Sequence, residues 1–164
     1  MACYVRLMHR EDVAQVTEID REAFPALWPP INYERELTNQ LAHYIVACDE
    51  RERVEEPELE APLEKDPPGL GSRVRRLFNY NRFFGYELPK SGKQYITGFA
   101  GFWIMAGEAH ITSIAVRELR RRQGIGELLL ISVITLAAEL NARIVTLEVR
   151  VSNTVAQSLY YKYG

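Results

Sequence analysis

Hydrophobic and polar residues alternate along some stretches of the chain and recur at helical spacing along others. The alternating stretches predict strands at 2–8, 43–48, 95–105, 108–116 and 143–149. The helical stretches predict helices at 10–24, 32–41, 126–142 and 153–163, of which the second and the last begin at a capping asparagine. The order β-α-α-β, then β-β-α-β-α, predicts an α/β (α+β) domain with a mixed sheet flanked by helices.

The segment 49–94 fits neither pattern and divides into two halves by charge. Residues 49–66 include nine acidic and three basic residues, whereas 72–93 include six basic residues and one acidic residue. Prolines and glycines within 67–71 separate the halves. Loops of this length inside a compact domain are usually functional or disordered. We therefore predict one domain over 1–164 with a charged, flexible insert at about 49–94.

The composition is ordinary for a soluble protein with one core. The chain has 164 residues, 47% of them hydrophobic, and a net charge of −2, which gives no general attraction to DNA or membranes. Cys3 and Cys48 are too few for a disulfide framework, and no cluster has the spacing of a metal site. The N-terminus lacks the apolar segment of a signal peptide, and no apolar run is long enough to cross a bilayer. We expect a cytoplasmic protein without bound metal.

Arginines and glycines lie together where the strand 108–116 leads into the helix 126–142. Glycines let backbone N–H groups approach an anion, the helix N-terminus adds partial positive charge, and arginine suits phosphate geometry. A P-loop would need Gly-Lys-Ser or Gly-Lys-Thr, and a dinucleotide fingerprint would need a small residue in place of Leu129. The remaining pattern, Arg/Gln-x-x-Gly-x-Gly/Ala, is met by Arg121, Gly124 and Gly126. A basic turn with glycines for its own geometry is the alternative.

Two motifs in this order resemble the Gcn5-related N-acetyltransferases, the GNAT superfamily. The first is the loop above, preceded by Ser113-Ile114-Ala115-Val116, and the second is Leu147-Glu148-Val149-Arg150-Val151-Ser152-Asn153 with Ala156, Leu159, Tyr160 and Gly164. The similarity to RimI-like protein N-terminal acetyltransferases is closest over 110–164 and weaker over the first 48 residues. The resemblance implies the GNAT fold. In that fold two more strands follow the last helix, so the chain is expected to lack them after Gly164.

The resemblance also implies an acetyl-CoA-dependent acyltransferase that acetylates a protein N-terminal α-amine by direct attack, with a ribosomal protein among the candidate acceptors. It makes Glu148 the candidate general base and Tyr160 the candidate general acid. A solvated or salt-bridged glutamate and a packing tyrosine are the alternatives. Coenzyme A contacts are implied for Ile114, Ala115, Val116, Arg121, Arg122, Gln123, Gly124, Ile125, Gly126, Glu127 and Asn153. For Asn153, helix capping alone is the simpler interpretation.

The junction between the first two predicted helices is the expected acceptor site, because aromatic and proline residues in an irregular segment suit a rigid groove. Its candidate residues are Phe24, Pro25, Leu27, Trp28 and Tyr33, and helix packing is the alternative for each. Two other functions stay open. One is a GNAT acting on lysine or a small-molecule amine. The other is a module that contacts RNA or a membrane through the basic and aromatic residues of 73–84.

Overall fold

The structure, a computed structural model, describes residues 3–54 and 94–164 and contains a five-stranded mixed sheet in these ranges. The strands lie in chain order across the sheet: β1 (Cys3–Leu7), β2 (Ala42–Arg53), β3 (Gln94–Met105), β4 (Glu108–Val116) and β5 (Ile144–Leu147). The strands β1 to β4 pair with one another in antiparallel fashion, whereas β5 is parallel to β4. The predicted fold class, a mixed sheet with flanking helices, is confirmed.

The sheet is covered on both faces. The helices are α1 (Val13–Ala23), α2 (Tyr33–Glu36), α3 (Ile125–Glu139) and α4 (Thr154–Lys162), with short 3₁₀ turns at Arg10–Asp12 and Glu118–Arg120. The apolar helix α3 packs over one face through residues such as Leu129 and Leu136, and α1 packs over the other through Val16 and Ile19. None of the helices described in 3–54 and 94–164 is long and apolar enough to cross a membrane.

The hairpin between β3 and β4 turns at the two residues that separate the predicted strands 95–105 and 108–116. Met105 pairs with Glu108, so two residues connect the strands. Ala106 and Gly107 have φ angles of 52° and 80°. A two-residue hairpin turn with both φ angles positive matches the right-handed twist of the strands. This tight connection fixes the start of β4.

The predicted irregular segment begins later than expected, because β2 continues through residues 49–53. Arg53 pairs with Gln94 after a shift in register beyond Cys48. The charged residues at this end of β2 do not alternate with apolar ones, so the sequence pattern gave no strand signal. Residues 55–93, including the predicted basic and aromatic stretch at 73–84, and Ala2 of the first predicted strand lie outside the described residues.

Helix α2 is shorter than predicted. Its cap is confirmed, since Asn32 Oδ1 accepts a hydrogen bond from Arg35 N at 3.1 Å. The helix then ends in local side-chain bonds: Thr38 Oγ1 donates to the Arg35 carbonyl at 2.7 Å, and Asn39 Oδ1 accepts from Leu41 N at 3.1 Å. Such bonds compete with the helical backbone bonds. The predicted helix 32–41 is therefore wrong beyond its first turn.

Candidate active site

Strands β4 and β5 pair only along the first part of β4. Their register runs from Glu108 opposite Ile144 to Ile111 opposite Leu147, where β5 ends. Beyond Ile111, β4 pairs only with β3 among the described strands. One edge of β4 is therefore open, and an extended ligand can form hydrogen bonds along such an edge.

The backbone groups at this open edge belong to Ile114 and Val116. Arg117 N donates to the Thr97 carbonyl of β3 at 2.8 Å. In an antiparallel strand, the backbone N–H and C=O groups of successive residues point toward opposite edges. Those of Ile114 and Val116 therefore point away from β3. The Val116 carbonyl accepts from Arg121 Nε at 3.1 Å. The Val116 N–H points to the same open edge and is available there.

Helix α3 begins immediately after this strand and offers unpaired amides. Gly124 precedes the helix with a φ of 80°, a left-handed conformation that favours glycine. Leu128 N is bonded to the Gly124 carbonyl at 3.0 Å. The amides of Gly124, Ile125 and Gly126 donate to no other described residue. These amides lie at the positive end of the helix dipole, so they can bind an anion.

The absence of a side chain at Gly126 is not required by the fold. A Cβ there would have Val116 Cγ2 at 3.8 Å as its nearest neighbour, which is an ordinary contact. The space between the first turn of α3 and the end of β4 is therefore open beside the free amides. A glycine that the protein's own packing does not need is consistent with close approach by a ligand.

The polar side chains of the loop are exposed around this space. Arg122 has a φ of 65°, which is uncommon for a residue other than glycine. Gln123 Nε2 donates to the Leu119 carbonyl at 3.5 Å. Only Nε of the Arg121 guanidinium contacts Val116, so its other donors face solvent. Arg121 and Arg122 can therefore contribute charge-assisted bonds to a bound anion.

Glu148 lies where the two strands part. It follows Leu147, the last residue of β5, so the predicted strand to residue 149 ends two residues early. Glu148 is exposed, and the alternation along the chain places it on the same face of the sheet as Thr146, which is also exposed. The Oγ1 atom of Thr146 lies 3.0 Å from His110 Nδ1. Glu148 forms no ion pair with a described residue, so the alternative of a salt bridge to Arg150 is not seen here.

The tyrosines at the end of the chain have different surroundings. Tyr160 is half-buried against the core under α3, and this burial raises the pKa of its phenol. Tyr161 is 82% exposed. Tyr163 Oη donates to the Glu127 carboxylate. A phenol with a raised pKa stays protonated at neutral pH, as a proton donor must.

Asn153 caps α4, as predicted. Its Oδ1 accepts from Ala156 N at 3.2 Å. Its Nδ2 donates to no described residue, so the capping role leaves this amide nitrogen free. Contact between Asn153 and coenzyme A stays a prediction.

The sequence profile of the acetyltransferase (GNAT) family matches residues 51–164. The chain belongs to this family. The protein is therefore an acyltransferase. No three His, Cys, Asp or Glu side chains of the described residues lie close enough together to hold a metal ion.

Individual relatives agree with the family. A Bacillus subtilis (strain 168) protein, whose name proposes a ribosomal protein bS18-alanine N-acetyltransferase, is 32% identical over 98% of this chain and 78% of its own length. The crystal structure of the Escherichia coli ribosomal-protein-S18-alanine N-acetyltransferase has a TM-score of 0.60 at 18% identity, covering 99% of this chain and 76% of that one. Ard1 from Thermoplasma volcanium has a TM-score of 0.66 at 20% identity, covering 100% and 82%. These two structures show that the fold is the GNAT fold.

Three of the predicted coenzyme A contacts have side chains that are already engaged in this GNAT domain. Ile125 is 2% exposed in the core under α3. Ala115 is buried on the opposite sheet face, and the strand alternation turns its backbone toward β3. The Glu127 carboxylate accepts hydrogen bonds from Lys162 and Tyr163, which lower its pKa and join α3 to α4. For Ile125 and Glu127, only the backbone can contribute to the cradle.

The predicted acceptor residues of the GNAT domain divide between surface and core. Trp28 is 85% exposed and Leu27 45%, Pro25 is exposed and Phe24 is half-buried, as groove residues could be. Tyr33 is only 1% exposed, and its phenol donates to Asp20 Oδ1 at 2.8 Å. Contact between Tyr33 and an acceptor would require the core to open, and the other four assignments stay predictions.

A β-bulge lies beside the open edge and is not predicted by the sequence pattern. The pairing of β4 with β3 shifts between Ile111 and Ser113, so Thr112 is the extra residue. Ile111 consequently packs in the core under α3, whereas the Ser113 hydroxyl interacts with Tyr33 on the other face. The bulge places polar hydroxyl groups where β4 leaves β5. No residue type in this segment marks a bulge in the sequence.

Replacing Gly126 with alanine is expected to weaken acetyl-CoA binding by about tenfold, a loss of about 1.4 kcal/mol. The new methyl group fits the free protein but occupies the space beside the cradle amides. Isothermal titration calorimetry gives the Kd, and thermal unfolding should show a Tm no lower than that of the wild type, because alanine is favoured over glycine in a helix. Gly107→Ala, in the remote hairpin turn where φ is 80°, is the control: it should lower the Tm and leave the Kd unchanged. Unaltered affinity in Gly126→Ala would show that no ligand atom approaches this position.

Proposed function

We propose that the protein is a RimI-like, cytoplasmic N-acetyltransferase that transfers the acetyl group of acetyl-CoA to the N-terminal α-amine of a protein. A ribosomal protein is the first candidate acceptor. One observation carries the proposal: the open edge of β4, created where β5 ends, leads directly to the anion cradle at the start of α3. A ligand with a pyrophosphate and a long amide-containing arm matches these two features together, and acetyl-CoA is such a ligand.

Each part of the donor has candidate partners. The pyrophosphate would bind the amides of Gly124 and Gly126 with help from Arg121. The amide-containing arm would bond to the backbone groups of Ile114 at the strand edge. The free N–H of Val116 would then donate to the thioester oxygen as negative charge develops on it. The strand edge and the helix N-terminus are both rigid elements, so these donors are oriented before the substrate arrives.

The reaction would proceed without a covalent enzyme intermediate. The acceptor nitrogen attacks the thioester carbonyl carbon, a C–N bond forms and the C–S bond breaks. Glu148 takes the proton lost by the amine, directly or through a water molecule, and the Tyr160 phenol gives a proton to the departing sulfur. Cys3 and Cys48 take no part, because Cys48 is fully buried and desolvation raises the pKa values of both thiols, that of Cys48 to about 12.

The acceptor is proposed as an α-amine for two reasons. The Bacillus subtilis relative, which matches nearly the whole chain, has a name that proposes an alanine N-acetyltransferase for the ribosomal protein bS18. An α-amine with a pKa of about 8 is also roughly one-tenth neutral at pH 7, whereas a lysine amine with a pKa of about 10.4 is neutral in less than roughly a thousandth of molecules. Proton abstraction by the exposed carboxylate of Glu148 is therefore less demanding for an α-amine than for a lysine amine.

Peptide acetylation assays test this proposal directly. Peptides beginning with Ala, Ser or Met are compared with peptides that carry a free lysine and a blocked N-terminus, each with acetyl-CoA and mass-spectrometric detection. We expect acetylation of the free N-termini. Acetylation of the blocked lysine peptides alone would overturn the proposal in favour of a lysine or small-amine enzyme. Calorimetric titration with RNA and with anionic vesicles tests the alternative of a binding module, which requires binding there and none to acetyl-CoA.

A further inference from the structure

The segment between β4 and the cradle contains four arginines, and two of them turn back toward the sheet. The side chains of Arg117 and Arg120 are 13% and 23% exposed. Arg121 and Arg122, in contrast, are exposed beside the cradle. The two inward arginines belong to or directly precede the 3₁₀ turn Glu118–Arg120. Their contacts differ from those expected of phosphate ligands.

Arg120 is held by the ends of two strands. Its Nη1 lies 3.2 Å from Asp49 Oδ2 and its Nη2 lies 2.5 Å from Glu52 Oε1, both at the end of β2. Its guanidinium carbon also lies 5.5 Å from the centre of the Tyr95 ring at the start of β3. A guanidinium that stacks on an aromatic ring while bonded to two carboxylates has little freedom to move.

Arg117 adds a second attachment on the same ring. Its guanidinium lies 4.9 Å from the centre of Tyr95, its Nε donates to the Ile96 carbonyl at 2.7 Å, and its Nη2 contacts Glu18 Oε2 of α1 at 3.1 Å. The backbone of the turn is attached as well, because Glu118 N donates to the Glu22 carboxylate. The turn is therefore fixed to β2, β3 and α1.

The charges of this cluster argue against direct anion binding. Arg117 and Arg120 bring two positive charges, and their partners Glu18, Asp49 and Glu52 bring three negative ones. An anion in contact with the cluster would meet a net negative group. The cluster is thus suited to hold the protein's own backbone rather than to attract a phosphate.

The fixed turn leads directly into the strained part of the cradle. Arg122 and Gly124 have φ angles of 65° and 80°. A non-glycine residue in the left-handed region costs free energy, which surrounding contacts have to offset. The direction of the amides at Gly124 and Gly126 depends on this backbone path. A loop that is already oriented loses less entropy when it binds.

We propose that Arg120 is a positioning residue for the coenzyme A loop. Held by Asp49, Glu52 and Tyr95, it fixes the turn Glu118–Arg120 so that the cradle amides converge on the pyrophosphate. This inference rests on the proposed function only in taking acetyl-CoA as the donor, and it does not depend on the acceptor.

The double variant Asp49→Asn/Glu52→Gln distinguishes positioning from charge. Removing two negative charges near a highly anionic ligand should tighten binding if electrostatic attraction alone mattered. If Arg120 acts by positioning, the same change releases it and the Kd for acetyl-CoA should rise by about fivefold to tenfold. Calorimetry at low and at high salt measures the Kd and separates the electrostatic effect from the positioning effect. Tighter or unchanged binding in the double variant would overturn the proposal.

Single variants keep the test independent of folding. Arg120→Gln should raise the Kd for acetyl-CoA as the double variant does, and Arg120→Lys, which retains the charge, should recover part of the loss. The KM for the acceptor peptide should not change, and circular dichroism should show the wild-type fold. Arg51→Gln is the matched control, because it removes one exposed positive charge at the same end of β2. An equal effect of Arg51→Gln would assign the change to net charge and overturn the proposal.

The outcomes for this inference and for the proposed function can be told apart. Wild-type protein that binds acetyl-CoA without acetylating any free N-terminus overturns the proposed acceptor and leaves the role of Arg120 intact. Variants that bind acetyl-CoA like the wild type overturn the role of Arg120 and leave the acceptor intact. Wild-type protein that does not bind acetyl-CoA overturns both.

Discussion

Replacing Glu148 with glutamine is expected to lower kcat at pH 7 by about 10²-fold to 10⁴-fold, the usual contribution of a positioned general base. Glutamine keeps the size and polarity of the side chain but cannot accept the proton of the attacking amine. Glu148 lies beyond the paired part of β5 and is exposed, so the fold should be unaffected. Steady-state kinetics gives kcat, and calorimetry should give an unchanged Kd for acetyl-CoA.

The pH dependence of this variant identifies the acceptor amine as well. If the acceptor is an α-amine with a pKa of about 8, it becomes mostly neutral by about pH 9. The difference in kcat between Glu148→Gln and the wild type should then become smaller at that pH. For a lysine with a pKa of about 10.4, the difference should persist at that pH. Glu108→Gln is the control, since Glu108 is an exposed carboxylate at the far, paired end of β4. Equal kcat values for Glu148→Gln and wild type at pH 7 would exclude Glu148 as the base.

The parts of the site that the sequence predicted depend on residues adjacent in the chain. The glycines and the apolar helix after them locate the start of α3, and Gly124 has the left-handed backbone that this start requires. Asn153 and Asn32 both cap the helices that follow them. Such signals are local, because the atoms that form each bond belong to residues three positions apart.

The features that the sequence did not predict depend on partners distant in the chain. The end of β2 is charged, and it is stabilised by Arg120, which no local pattern connects to Asp49. Glu127 belongs to the predicted coenzyme A contacts, but its carboxylate is bonded to Lys162, 35 residues later. Tyr33 belongs to the predicted acceptor groove, although its hydrogen bond to Asp20 and its aromatic contacts place it in the core. Composition alone cannot distinguish an aromatic residue in a groove from one in a core.

Replacing Tyr160 with phenylalanine is expected to lower kcat by about 10²-fold. The ring keeps its packing under α3, so the fold should persist, but the departing thiolate loses its proton donor. This loss of kcat lies at the lower end of the range for general acid catalysis, because a thiol with a pKa of about 8.5 is already a fair leaving group. Tyr161→Phe is the control, because Tyr161 is 82% exposed and this substitution also removes a single phenolic oxygen atom. Equal losses in the two variants would exclude a specific role for Tyr160.

The raised pKa of Tyr160 gives this prediction a second measurement. Burial disfavours the phenolate, so the folded protein holds this proton to a higher pH than the ordinary value of 10.0. Wild-type protein should therefore lose stability relative to Tyr160→Phe only as the pH rises above that value, because the unfolded chain then releases a proton that the folded one retains. Difference ultraviolet spectroscopy of the two proteins follows the tyrosinate directly. A titration of Tyr160 below its ordinary value would contradict the burial of the phenol against the core.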